Sequence, residues 1–218
     1  KTMIAARDLA HAMVSIGNMA GKKTHAVITN MDKPLGTAVG NAIEVREAID
    51  TMQGRGDSEF TELCIELTGT MLMISGAGTL DECKKTAADH LADGRAFAKF
   101  RDFIGAQGGD VSYVDDPEKI RIAKPHEVVS DRSGYIFQMN TERYGSAGLI
   151  LGAGRARKED SIDHSAGIKV LKKTGDRVEK GDVIAVTYCD IDSRADEAAK
   201  TILAALEFSD KAPENIPV

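Results

Sequence analysis

The sequence predicts an α/β chain: the closing part of a mixed α/β sheet domain with a helical block, then a small α+β module. Three observations point there. Residues 2–52 give helix, strand, loop and helix signals in turn; residues 59–106 hold three helical runs in succession; after residue 125 short β-rich segments take over. The expected organisation is a partial α/β domain with its helical block over 1–109, a connection over 110–125, and an α+β module with a final helix over 126–218.

Each element has its own signal. Residues 2–20 are amphipathic, with Ile4, Leu9, Met13, Val14 and Ile16 at helical spacing and Gly21 as a stop. His25 to Thr29 reads as a short strand and Asn30 to Gly36 as a loop. A helix follows over Asn41 to Met52, with Asn41 and Glu44 at capping-box spacing and Ala42, Val45, Ile49 and Met52 as its inner face. Further helices are expected over 59–75, 80–92 and 94–106, closed by Gly108-Gly109. Asp115-Asp116-Pro117 and Pro125 mark the connection. Beyond it, strands are expected around Val128-Val129, over Gly134–Phe137, Ile168–Leu171 and Val183–Tyr188. Helices are expected over Thr141–Leu151 and from Arg194 to Phe208.

Composition narrows the chemistry. The net charge is −6 and there is no Trp, so neither a phosphate-binding surface nor a base-stacking platform is supplied, and no nucleic-acid partner is expected. No apolar run reaches the roughly 18 residues that would suggest a membrane span. Cys64, Cys83 and Cys189 are few, odd in number and widely spaced, which suits a reducing cytoplasm rather than a disulfide framework. The five histidines show no metal-motif spacing. Gly152-Ala-Gly-Arg155 lacks the strand, the helix and the Lys-Ser/Thr of a phosphate loop, and its basic residues are expected to pair with Glu159, Asp160 and Asp163.

Three stretches carry more. Thr29-Asn-Met-Asp-Lys-Pro-Leu-Gly-Thr-Ala-Val-Gly-Asn-Ala-Ile-Glu-Val-Arg-Glu-Ala-Ile49 closely resembles a loop-and-helix segment of the pyrimidine-nucleoside (thymidine) phosphorylases. Leu151-Gly-Ala-Gly-Arg-Ala-Arg-Lys-Glu-Asp-Ser-Ile-Asp163 and Lys172-Lys-Thr-Gly-Asp-Arg-Val-Glu-Lys-Gly181 resemble that family's carboxy-terminal module. Their order and separation fit too, so the resemblance covers nearly the whole chain and identifies it with the family's carboxy-terminal half.

The resemblance implies a pentosyltransferase that converts pyrimidine nucleoside and phosphate, the co-substrate, to free base and pentose 1-phosphate. It implies a cytoplasmic homodimer joined through a helical lobe. In the family, the phosphate cradle and the groups that hold the base precede the point matching Lys1. No catalytic residue is therefore expected in this chain, and the isolated chain is expected to be inactive, with apolar surface exposed. Two features of the site remain. Met13 falls where the family places an apolar residue beside the pyrimidine ring, although a Met on an apolar helix face also reads simply as core. Leu35 and Ala38, through main-chain carbonyls, and Glu47, through its carboxylate, match the family's site for a potassium-like ion.

That ion site poses a geometric demand. Nine residues of continuous helix would hold Ala38 and Glu47 roughly 13 Å apart. Leu35 to Gly40 must therefore fold back as a loop over the helix start, which Gly36 and Gly40 permit. Read from the residues alone, Glu47 is a solvated helix position. A rival reading comes from Gly175-Asp-Arg-Val-Glu-Lys-Gly-Asp-Val-Ile184, which resembles the hairpin of biotinyl and lipoyl carrier domains. It predicts a hammerhead-like module, but the display lysine of a carrier is missing, leaving a structural or binding fragment as the alternative function.

Overall fold

The computed structural model describes residues 2–155 and 157–214. Lys1, Ala156 (inside the Leu151–Asp163 stretch) and residues 215–218 lie outside the described residues.

The first helix, α1 (Met3–Met19), is opened by the Thr2 side chain, which accepts from the Ala5 N–H. It buries no residue: Ile4, Leu9, Met13 and Ile16 are all more than half exposed. The strand expected at His25–Thr29 does not form, and residues 22–31 carry no regular element. A strand exists by pairing, and every strand among the described residues pairs within two sheets built mainly from the second half of the chain.

After this segment come the short strand β1 (Ala38–Gly40) and helix α2 (Ala42–Met52). The expected capping box does not form. Glu44 accepts from the Gly40 N–H at 2.8 Å, but the Asn41 amide donates to the Ala153 carbonyl at 2.7 Å instead of capping the helix. The inner face also differs from the expectation. Ile43, Glu47, Ile49 and Thr51 are buried and Val45 is exposed, because β1 draws the start of α2 against the second module and Ile43 faces it.

The helical block matches the expected spans closely: α3 (Ser58–Ser75), α4 (Leu80–Ala92) and α5 (Arg95–Ala106). Asp57 caps α3 by accepting from Phe60 N–H at 3.0 Å, and Thr79 with Glu82 forms a full capping box on α4. α3 and α4 lie side by side, with Glu66 and Lys84 paired between them. The connection holds a four-residue helix, α6 (Ser112–Asp115), and a single 3₁₀ turn at Pro117–Lys119.

The second module contains β2 (Pro125–Val129), β3 (Gly134–Met139), α7 (Thr141–Leu151), β4 (Gly167–Val170), β5 (Arg177–Val178), β6 (Val183–Tyr188), α8 (Asp192–Leu203) and β7 (Leu206–Ser209). The last two correct an expectation. The final helix stops at Leu203, and Leu206 to Ser209 run antiparallel to β3, with Leu206 buried as the strand begins. One sheet has the order β1-β4-β6-β2 and the other β5-β3-β7, all pairs antiparallel. Their inner residues, with α7 and α8 packed together, make the main core, which includes Ile136, Met139, Tyr144, Ile168, Ile184 and Ile202. The architecture is mixed α/β, as the sequence predicts.

One charge cluster, centred on Glu59, joins the parts. Lys33 pairs with Glu59 at 2.5 Å. Lys173, from the loop between β4 and β5, lies 3.6 Å from Asp57 and 3.9 Å from Glu59, and its buried ammonium makes no hydrogen bond. The expected pairing of Arg155, Arg157 and Lys158 with nearby acids does not occur among the described residues. Asp160 instead accepts from the Arg157 main-chain N–H, and Asp163 from Ser165.

Candidate functional site

The site is built where β1 meets α2. β1 forms the edge of the four-stranded sheet, with Ala38 opposite Lys169, Val39 opposite Ile168 and Gly40 opposite Gly167. Gly40 allows this approach: a Cβ there would lie 2.7 Å from the Ala166 carbonyl oxygen and 3.0 Å from the Gly167 Cα. The chain then turns into α2, and the segment before it folds back over the helix, as the Ala38–Glu47 spacing demands.

Glu47 receives that segment. Its Oε1 accepts from the Thr37 main-chain N–H at 2.6 Å and from the Thr37 hydroxyl, and its Oε2 accepts from the Ala38 N–H at 3.2 Å. The residue is 8% exposed, so the solvated-helix reading fails. Burying a carboxylate is costly unless its lone pairs are satisfied, and here two consecutive main-chain N–H groups and a hydroxyl do so. Gly36 completes the cradle. Its φ is +64°, and a Cβ on it would stand 2.5 Å from Glu47 Oε2. Only glycine leaves room for the carboxylate there.

The main-chain carbonyls sort by register. Val170 N–H donates to the Thr37 carbonyl at 2.7 Å. In an antiparallel ladder alternate residues turn both main-chain groups away from the partner strand. Ala38 is such a residue; its N–H reaches Glu47, and its carbonyl follows the same edge. A cavity of about 350 Å³ opens beside these groups, lined by Thr37, Glu47, Asp50, Arg55 and Lys169 among others. Lys169 Nζ stands 4.0 Å from Glu47 Oε1, and Arg55 is held by Asp50 at 2.6 Å.

Thus the structure brings Ala38 and Glu47 together, with Leu35 three residues before Ala38 in the same folded-back segment. It does not bring Met13 there. Met13 is 60% exposed on α1 and lines neither this cavity nor the one between α1 and residues 24–28, whose lining includes Arg7, His11 and His25. Three residues were missed by sequence reasoning. Thr37 lies between two residues that were singled out, yet no periodicity marks its hydroxyl. Lys169 is distant in sequence and becomes visible only once strands are paired. Arg46 reads as a surface charge, but its guanidinium donates to the Glu118 carboxylate and to the Glu118 and Ile120 carbonyls.

Chemically, the cluster is a buried carboxylate held by two main-chain N–H groups and a hydroxyl beside a polar cavity. Among the described residues no three His, Cys, Asp or Glu side chains gather as a metal-binding group.

Comparison with known proteins concerns the chain as a whole. Residues 3–97 match the family described as glycosyl transferase family, a/b domain, and residues 135–209 match the pyrimidine nucleoside phosphorylase C-terminal domain. The pyrimidine-nucleoside phosphorylase of Bacillus subtilis (strain 168) is 43% identical over 202 residues, 92% of this chain and 47% of its own length. That of Geobacillus stearothermophilus is 44% identical over 190 residues, 86% of this chain and 44% of its own. That of Staphylococcus epidermidis (strain ATCC 12228 / FDA PCI 1200) is 45% identical over the same span and shares. The chain spans about half the length of the curated relatives it matches.

Proposed function

We propose, from the premise that this chain belongs to the pyrimidine-nucleoside phosphorylase family, that it forms part of an enzyme cleaving pyrimidine nucleosides with inorganic phosphate. In that reaction a phosphate oxygen forms a bond to the anomeric carbon as the bond to the pyrimidine nitrogen breaks. The base leaves with the electron pair and takes up a proton. Identity of 43% continuing across 92% of this chain, through both domain matches, is the observation that supports this reading most.

This chain's own residues serve that reaction from beneath. In our reading none of them is catalytic, and Met13 contributes an apolar contact to the pyrimidine ring. A potassium-like ion is held by the carbonyls of Leu35 and Ala38 and the carboxylate of Glu47. Such an ion supplies fixed positive charge that orders a loop and favours an anionic substrate nearby. Two observations favour the fit: Glu47 is buried with only neutral donors in hydrogen-bonding contact, and a Cβ at Gly36 would fill the space it occupies. The division at residues 110–125, a homodimer joined through a helical lobe outside these residues, a cytoplasmic setting and a role in nucleoside salvage belong to the same proposal. No helix among the described residues is long and apolar enough to cross a membrane.

The test is phosphorolysis by the full protein. Base release from thymidine and uridine should require inorganic phosphate, rise with KCl at fixed ionic strength, and lose that potassium response in Glu47→Gln. Absence of phosphate-dependent base release from either nucleoside would remove the reading.

A further inference from the structure

Lys169 has no place in the proposed function, yet its ammonium is the one cationic group recorded within 4.0 Å of the Glu47 carboxylate among the described residues. Its position follows from strand register. Lys169 on β4 is the direct partner of Ala38 on β1, whose N–H reaches the same carboxylate. The Lys169 side chain is 37% exposed, whereas that of Glu47 is 9% exposed, so the amine reaches the buried acid from the solvent end of the shared cavity. The other cation lining that cavity, Arg55, is engaged by Asp50 and Gln53.

We infer that Lys169 is a tethered competitor for the cation site, a built-in ammonium that neutralises Glu47 when no ion is bound and must swing outward when one is. The inference rests on the cation reading above and adds its regulation. Three features support it. An ammonium group carries the same unit charge as a potassium ion and nearly the same size, so each satisfies the same carboxylate. At 4.0 Å the amine is beyond hydrogen-bonding distance, so leaving costs it no direct bond. Its flexible four-carbon stem and partial exposure give it water to move into. Glu47 itself stays fixed by Thr37 and Ala38 in either state. The result is a site whose apparent affinity for free cation is lowered by a charge the protein carries.

The experiment is thermal unfolding of the full chain across a KCl series, with choline chloride holding ionic strength constant, for wild type, K169M, K169R and E47Q. The midpoint of the potassium-dependent stabilisation is read for each. K169M should move that midpoint to lower KCl by about fivefold, the scale of losing one partly exposed opposing charge, while K169R stays near wild type. E47Q should abolish the response. K169M and wild type sharing one midpoint, with E47Q still abolishing the response, would overturn the role of Lys169 and leave the cation site standing. Stabilisation that is the same in KCl and choline chloride for all four proteins would overturn both.

Discussion

Arg46 and Glu47, consecutive residues on α2, fasten two different connections of the chain. Glu47 accepts from the main chain of Thr37 and Ala38 and so holds the segment entering β1. Arg46 donates to the carbonyls of Glu118 and Ile120 and so holds the segment entering the second module. One turn of helix therefore holds both the segment that enters β1 and the segment that leads from the helical block to β2.

Removing the carboxylate should loosen the first crossing. Glu47→Ala leaves two main-chain N–H groups without their acceptor and is expected to cost about 3 kcal/mol; Glu47→Gln, which keeps one acceptor oxygen, should cost about 2 kcal/mol. Urea denaturation measures both, and a loss below about 0.5 kcal/mol for the alanine variant would show that the buried contacts contribute nothing net.

Gly36 should prove coupled to Glu47. Gly36→Ala places a methyl against Oε2 at a positive φ and is expected to cost about 2 kcal/mol, part steric and part conformational. In the double variant with Glu47→Ala the steric part disappears, so the two losses should fall short of additive by about 1 kcal/mol. Strict additivity in a double-mutant cycle would mean the close approach is not felt.

Freeing the second crossing should be visible without unfolding. Arg46→Met removes the donors to Glu118 and Ile120 while keeping an apolar stem. Hydrogen exchange should accelerate over residues 116–124 and stay unchanged in α4, which Arg46 does not touch. Equal acceleration in both regions would indicate global destabilisation instead.

The buried ammonium of Lys173 should be worth little. It has no hydrogen bond and stands 3.6 Å and 3.9 Å from two acids, so desolvation offsets most of the attraction. Lys173→Met is expected to change stability by less than about 1 kcal/mol in either direction. Asp57→Ala should cost about 1–2 kcal/mol, because it also removes the cap of α3. Chemical denaturation of the two variants side by side decides the order.

Asp190 gives a pH prediction with a defined sign. The Lys124 main-chain N–H and then the Arg121 guanidinium hold its carboxyl below the ordinary aspartate value of 3.8. A depressed folded value means the stabilisation is present above about pH 4 and is lost as pH falls through the folded value. Carbon-13 titration should show Asp190 protonating below an unperturbed aspartate, and Lys124→Pro, which deletes the donor N–H, should raise it. An ordinary titration in the wild type would contradict the hydrogen-bonding arrangement.

The legible and illegible parts of this molecule divide by range. The helices over 80–92 and 141–151 and the strand over 183–188 were readable because capping residues, apolar spacing and terminal glycines all act within a few residues. The final helix was extended too far because Leu206 and Phe208 suit either period, and only pairing with β3 decides for a strand. His25–Thr29 shows the converse: strand-forming residues without a partner strand remain irregular. At the site, the ion site implied by the resemblance required Leu35 to Gly40 to fold back as a loop; the segment does fold back onto Glu47, but Ala38–Gly40 form strand β1 rather than loop. Lys169 could not be foreseen, since its nearness to Glu47 depends on which residue of β4 faces Ala38, a fact held in no local stretch of sequence.

The β1–β4 pairing also sets a timetable. Residues 38–40 leave the ribosome about 130 residues ahead of their partners at 167–169. At roughly 5–20 residues per second the early strand waits on the order of ten seconds for its mate. Through that interval α2 can form and the Glu47 carboxylate can hold Thr37 and Ala38, but the ladder to β4 that fixes the far side of β1 is still missing. The setting of the Glu47 carboxylate is therefore completed only once β4 has been made, well after the side chains at its centre.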